Sequence, residues 1–160
     1  MEAPNFDTII KEQFKFLEFN YDFHLSECIQ ETWGYRIIYL SDKVGIKITY
    51  EYREAYIFIM IYKLIAGELI ENPRSIKEDT PLYGYELDDI LSLRKPPALI
   101  KPAYKYGKDS RYYDEKNGLT EYVTAFADNL KKYAADILSG NFEVFKELDK
   151  IVKERASKCQ

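Results

Sequence analysis

The sequence predicts an α+β fold: an N-terminal helix, an antiparallel β-meander of three to four strands, a short helix, a long Tyr-rich loop and a C-terminal helical hairpin. Three changes in the spacing of apolar residues carry that prediction. Before residue 20 they recur every three to four positions, between about 35 and 64 they alternate, and after 119 the helical spacing returns. At 160 residues the chain has the size of one domain, and 1–160 is read as a single α+β unit.

Phe6, Ile9, Ile10, Phe14 and Leu17 form one stripe, with Lys11, Glu12, Lys15 and Glu18 between them, which is the pattern of an amphipathic helix. Pro4 leads in, Asn5 or Asp7 is placed to cap the start, and Asn20-Tyr21-Asp22 supplies turn chemistry at the end. From Val44 to Tyr52 the residues Val44, Ile46, Ile48, Tyr50 and Tyr52 face one way and Gly45, Lys47, Thr49 and Glu51 the other, as in a half-buried strand. Tyr35 to Leu40 is β-branched and aromatic, and Ser41-Asp42-Lys43 joins it to the next run as a hairpin. Ala55 to Leu64 is apolar on both faces, which predicts an interior strand. Phe23 to Ile29, linked through Thr32-Trp33-Gly34, is the fourth candidate strand.

Glu71 to Pro81 holds two prolines, several charges and no period, so it reads as loop. A short helix is expected over Glu86 to Leu93 and is ended by Pro96-Pro97. Residues 98–118 lack periodicity, and a connection of that length is either functional or draped over the core. The stripe Leu119, Tyr122, Val123, Phe126, Leu130, Tyr133, Ile137 and Leu138 predicts a helix of about five turns. Gly140 suits a left-handed C-terminal cap, Asn141 suits the next N-cap, and Phe142, Phe145 and Leu148 mark the apolar side of the last helix.

Composition narrows the functional classes. With 23 basic and 27 acidic residues the net charge is -4, so no domain-wide positive field draws in nucleic acid. The two cysteines, Cys28 and Cys159, make no disulfide framework, and the first residues lack the basic and apolar runs of a signal peptide. The longest apolar stretch, Tyr56 to Tyr62, is too short to cross a bilayer as a helix. A cytoplasmic location and no membrane partner are therefore expected, with oligomeric state left open.

The inventory of reactive groups names no reaction. His24 is the single histidine, and in a strand it would stand about 13 Å from Cys28 along the chain, beyond direct hydrogen bonding. No Cys/His cluster suits zinc, no Walker or GxGxxG sequence cradles phosphate, and no cofactor or metal is expected. Glu86, Asp88 and Asp89 point in different directions on a helix and are read as acids favoured by its N-terminal dipole. The most suggestive feature is residues 103–113, which interleave Tyr104, Tyr106, Tyr112 and Tyr113 with Lys108 and Arg111. That mixture suits protein contact, single-stranded nucleic acid or a plain structural loop, and Asp109, Asp114 and Glu115 dilute its charge.

Around Phe14-Lys15-Phe16-Leu17, Tyr21-Asp22-Phe23, Tyr39 to Ile46 and Tyr85 to Ile90, the chain resembles small uncharacterised bacterial proteins, some of them like the immunity proteins of polymorphic toxin systems. The resemblance covers roughly the first ninety residues and brings no catalytic residues with it. It implies a non-catalytic protein-interaction domain that binds and blocks a partner protein. The alternatives are a small enzyme using carboxylate and Tyr residues, and single-stranded nucleic-acid binding through 103–113.

Overall fold

The computed structural model describes residues 6–53, 55–113 and 117–159. Its centre is a five-stranded antiparallel sheet in the order β1-β2-β3-β4-β5, formed by His24–Glu31, Gly34–Leu40, Val44–Glu51, Tyr56–Lys63 and Gly84–Glu86. The first four strands are the meander expected from the alternation, each pairing with the next through a short turn. Ile37 and Tyr39 on β2, Val44, Ile46 and Ile48 on β3, and Ile57, Ile59 and Ile61 on β4 are all buried, so one face of the sheet forms the core. β4 lies between β3 and β5, as expected for an interior strand.

The helices are α1 (Phe6–Gln13), α2 (Lys15–Tyr21), α3 (Leu87–Arg94), α4 (Gly118–Tyr133), α5 (Ala135–Leu138) and α6 (Phe145–Lys158). α1 packs against β2 and α4, and Phe6 stacks on Tyr50 at 4.4 Å between ring centroids. All five residues of the expected N-terminal stripe are buried. The helix itself, however, breaks at Phe14, whose N–H still bonds the Ile10 carbonyl at 2.9 Å while Asp22 closes α2 in a left-handed conformation. The long helix expected from Leu119 likewise breaks at Ala134. Gly140 adopts the left-handed cap conformation at φ 94, but Asn141 does not cap the last helix: its Oδ1 accepts the Glu143 N–H at 3.1 Å in a turn ahead of α6, whose N-cap is Val144. The expected lead-in Pro4 and cap candidate Asn5 lie outside the described residues, and the other cap candidate, Asp7, sits inside the first turn of α1 rather than at its cap.

Two further expectations need correcting. Glu86 stands at the N-cap of the short helix rather than inside it, and it also ends β5, a strand too short to show alternation. Gly84 allows this strand because the Tyr62 ring lies 2.3 Å from where a Cβ would stand. Residues 98–118 are not structureless, since they hold two short 3-10 helices, Ala103–Tyr106 and Arg111–Tyr113, preceded by a third at Pro96–Ala98. No helix of the described residues is long and apolar enough to cross a membrane.

Candidate functional site

The meander brings the β1–β2 and β3–β4 turns to the same end of the sheet, where the Tyr52 N–H bonds the Trp33 carbonyl at 2.9 Å. This end is aromatic. Tyr35 and Tyr50 are cross-strand partners under Phe6, and Tyr52 stands edge-on to both, at 6.1 and 6.0 Å. Trp33 and Tyr52 remain exposed.

Beside these turns, three hydrogen bonds to its backbone seat the Tyr-rich segment. Ala55, left-handed at φ 47, accepts the Ala103 N–H at 3.2 Å, which pins the segment to the β3–β4 turn. From α4, the Tyr122 hydroxyl donates to the Lys101 carbonyl at 2.6 Å and the Asn129 amide to the Ala98 carbonyl at 2.9 Å. Burial pushes the Tyr122 phenol well above its usual range, so it stays a proton donor. The rings then continue inward, edge to face, from Tyr106 to Tyr112 at 4.9 Å, Tyr112 to Tyr122 at 5.0 Å and Tyr122 to Phe126 at 5.1 Å.

Between sheet, segment and helix lies an apolar cleft of about 280 Å³. Tyr50 and Ala55 line it from the sheet, Tyr104 and Tyr112 from the segment, and Leu119 and Tyr122 from α4. Tyr104 stands at its mouth, 51% exposed. A preformed apolar recess rimmed by an exposed tyrosine suits an inserted side chain, because much of the ordering that such contact requires is already done by the fold.

The structure divides the six residues singled out in the sequence. Tyr104 and Tyr112 line the cleft. Tyr106 supports it, its ring against Tyr112 and its hydroxyl accepting the Lys101 N–H at 2.9 Å. Arg111 donates to the Tyr112 hydroxyl at 3.1 Å and packs its guanidinium over that ring. Lys108 is exposed and does not line the cleft. The Tyr113 side chain, with Asp114 and Glu115, lies outside the described residues. Sequence reasoning missed Tyr50, Ala55, Leu119 and Tyr122. Three of these were assigned to a strand or helix stripe and so counted as core, and only the fold shows that one end of each stripe opens onto the cleft.

The acids at the start of α3 do more than answer the helix dipole, and none makes a side-chain cap. Asp88 accepts a short hydrogen bond from the Tyr56 hydroxyl, and burial holds its carboxyl above the ordinary range. Asp89 is buried and takes a bidentate bond from Arg155 at 2.8 and 3.0 Å. His24 is exposed on β1, where a bulge between Leu25 and Glu27 upsets its alternation with Cys28, and burial pushes the Cys28 thiol up. Among the described residues no group of three or more His, Cys, Asp and Glu is arranged to hold a metal ion. A larger cleft, about 620 Å³ between residues 76–78 and α6, has its Asp149 bound at 3.0 Å by both Tyr85 and Lys153. Comparison with protein-family models, with curated proteins and with solved structures gives no match for this chain.

Proposed function

We propose that this chain is a non-catalytic protein-interaction domain of the immunity type, which binds a partner protein and blocks it, with the aromatic cleft as its contact surface. The observation that carries the reading is Tyr104, half exposed at the mouth of a cleft whose walls are tied to the sheet turn and to α4. Exposed aromatics beside an apolar recess are the groups that dominate protein interfaces, and a rigid wall lowers the entropy lost when they are covered. The carboxylates with the clearest structural surroundings are occupied by internal partners: Asp88 by Tyr56, Asp89 by Arg155 and Asp149 by Tyr85. They serve the fold, which favours binding over the carboxylate-and-tyrosine enzyme.

The test is capture from lysate of the native cell with the wild-type chain and with Tyr104→Ala. Truncating an anchor of this kind is expected to weaken retention of the partner by about 2 kcal/mol, roughly thirtyfold. The thermal midpoint should stay put, since the side chain is half in solvent. Undiminished capture by Tyr104→Ala, or no partner for the wild type, contradicts the reading.

A further inference from the structure

The charge of the chain is unevenly placed. Between Arg94 and Lys116 the sequence carries seven basic residues and three acidic ones, against 16 and 24 in the remainder. A basic strip therefore lies on an acidic body, and it is the strip that supplies the loop wall of the cleft. Arg94 is occupied by Asp136 at 2.7 Å and Arg111 by Tyr112. Lys95, Lys101, Lys105 and Lys108 are all exposed and make no ion pair among the described residues. Lys101 and Lys105 flank the Ala103 and Tyr104 of the wall, and Lys108 follows on the turn that leads to Tyr112. Leu99 and Tyr104, 39% and 51% exposed, stand among these lysines. Asp109 lies on the strip itself, and the charge of Glu121, in the first turn of α4, reaches Arg111.

We infer that the cleft takes an acidic protein segment: carboxylates pair with Lys101, Lys105 and Lys108 while one apolar side chain enters between Tyr50, Tyr104 and Leu119. This deepens the protein-interaction reading and rests on it. Charge complementarity fixes the sign of the occupant. The rings fix its class. Tyr106, Tyr112 and Tyr122 pack edge to face on one another with Arg111 over Tyr112, so they do not present the row of open ring faces that a single strand needs to stack successive bases.

The experiment measures binding of three labelled probes to the full chain: a short peptide of Glu and Asp around one Phe, the same peptide with Lys in place of the acids, and an oligothymidylate. The acidic peptide is expected to bind alone, to weaken as salt rises, and to lose roughly tenfold or more in affinity in the triple variant K101E/K105E/K108E. The milder triple change to Gln, which keeps the stems, should lie between. Oligothymidylate binding as tightly and displacing the peptide would assign the strip to nucleic acid and overturn the inference. A chain that captures its partner through Tyr104 yet prefers the basic peptide, or ignores the acidic one, overturns the inference and leaves the interaction reading standing. Loss of Tyr104-dependent capture removes that reading instead.

Discussion

Tyrosine does two jobs in this molecule, and the hydroxyl decides which. The 15 tyrosines bring apolar area to a chain of modest size, but each buried hydroxyl needs a partner. Tyr62 meets it through Glu71 at 2.6 Å, Tyr85 through Asp149 and Tyr122 through the Lys101 carbonyl, so that core side chains become ties to loops and helices. Tyr39 is different, being fully buried with no partner for its hydroxyl among the described residues. Tyr39→Phe keeps the ring and removes the unsatisfied group, so unfolding in urea should show a gain of about 1 kcal/mol. A loss of that size would mean that the hydroxyl is bonded in solution. Asp88 offers a pH-dependent counterpart. Burial raises its carboxyl, so the folded state takes up the proton at higher pH than the unfolded chain, and this group's contribution to stability falls as pH rises through that window. Asp88→Asn retains an acceptor for Tyr56 and should be more stable than the wild type at neutral pH. The advantage should fade below the ordinary carboxylate range, where both states of Asp88 carry the proton, and an advantage that grows on acidification would refute the assignment.

At the scale of elements, the last helix shows how few contacts hold a segment the sequence marks clearly. α6 is anchored by Leu148 in the core, by Phe145 against Tyr85 at 4.7 Å, and by the Arg155–Asp89 pair. Arg155 is itself half exposed, but Asp89 is not, so Arg155→Met leaves a buried carboxylate without its bidentate donor. The expected cost is about 2 kcal/mol, with amide exchange accelerating over Phe145–Lys158 before the sheet. Uniform acceleration through β2 and β3 would show instead that α6 unfolds with the core. The same elements show where spacing is informative. The stripes of α1, β3 and α4 were legible because each repeats over several residues against one buried face. The break at Phe14 and the one at Ala134 left those stripes intact and so made no mark in the sequence. β5 is three residues long, and its place beside β4 depends on Gly84 fitting under the ring of Tyr62, a contact made across 22 positions.

At the scale of the whole molecule, the meander places its turns at two opposite ends, and the end near Tyr50 is where the candidate site forms. The cleft draws on Tyr50 and Ala55 of the sheet end, Ala103, Tyr104 and Tyr112 of the segment, and Gly118, Leu119 and Tyr122 of α4. Its Tyr104 and Tyr112 were visible in the sequence because aromatics and cations alternate there. Its sheet and helix walls were hidden because Tyr50 and Tyr122 obey the same periodicities as the core, and only the packing of α4 against the segment distinguishes them. The charge division belongs to this scale too, since a small net charge conceals a basic strip and an acidic body until the strip is seen to wall the cleft.

The most direct measurement replaces Tyr104 with a photo-crosslinking residue in the native cell and compares it with the same replacement at His24, exposed on β1 at the other end of the sheet. Light-dependent attachment of a protein at position 104, and none at position 24, is the expected result. Attachment at 24 in place of 104, or at neither, contradicts a binding surface at the aromatic end.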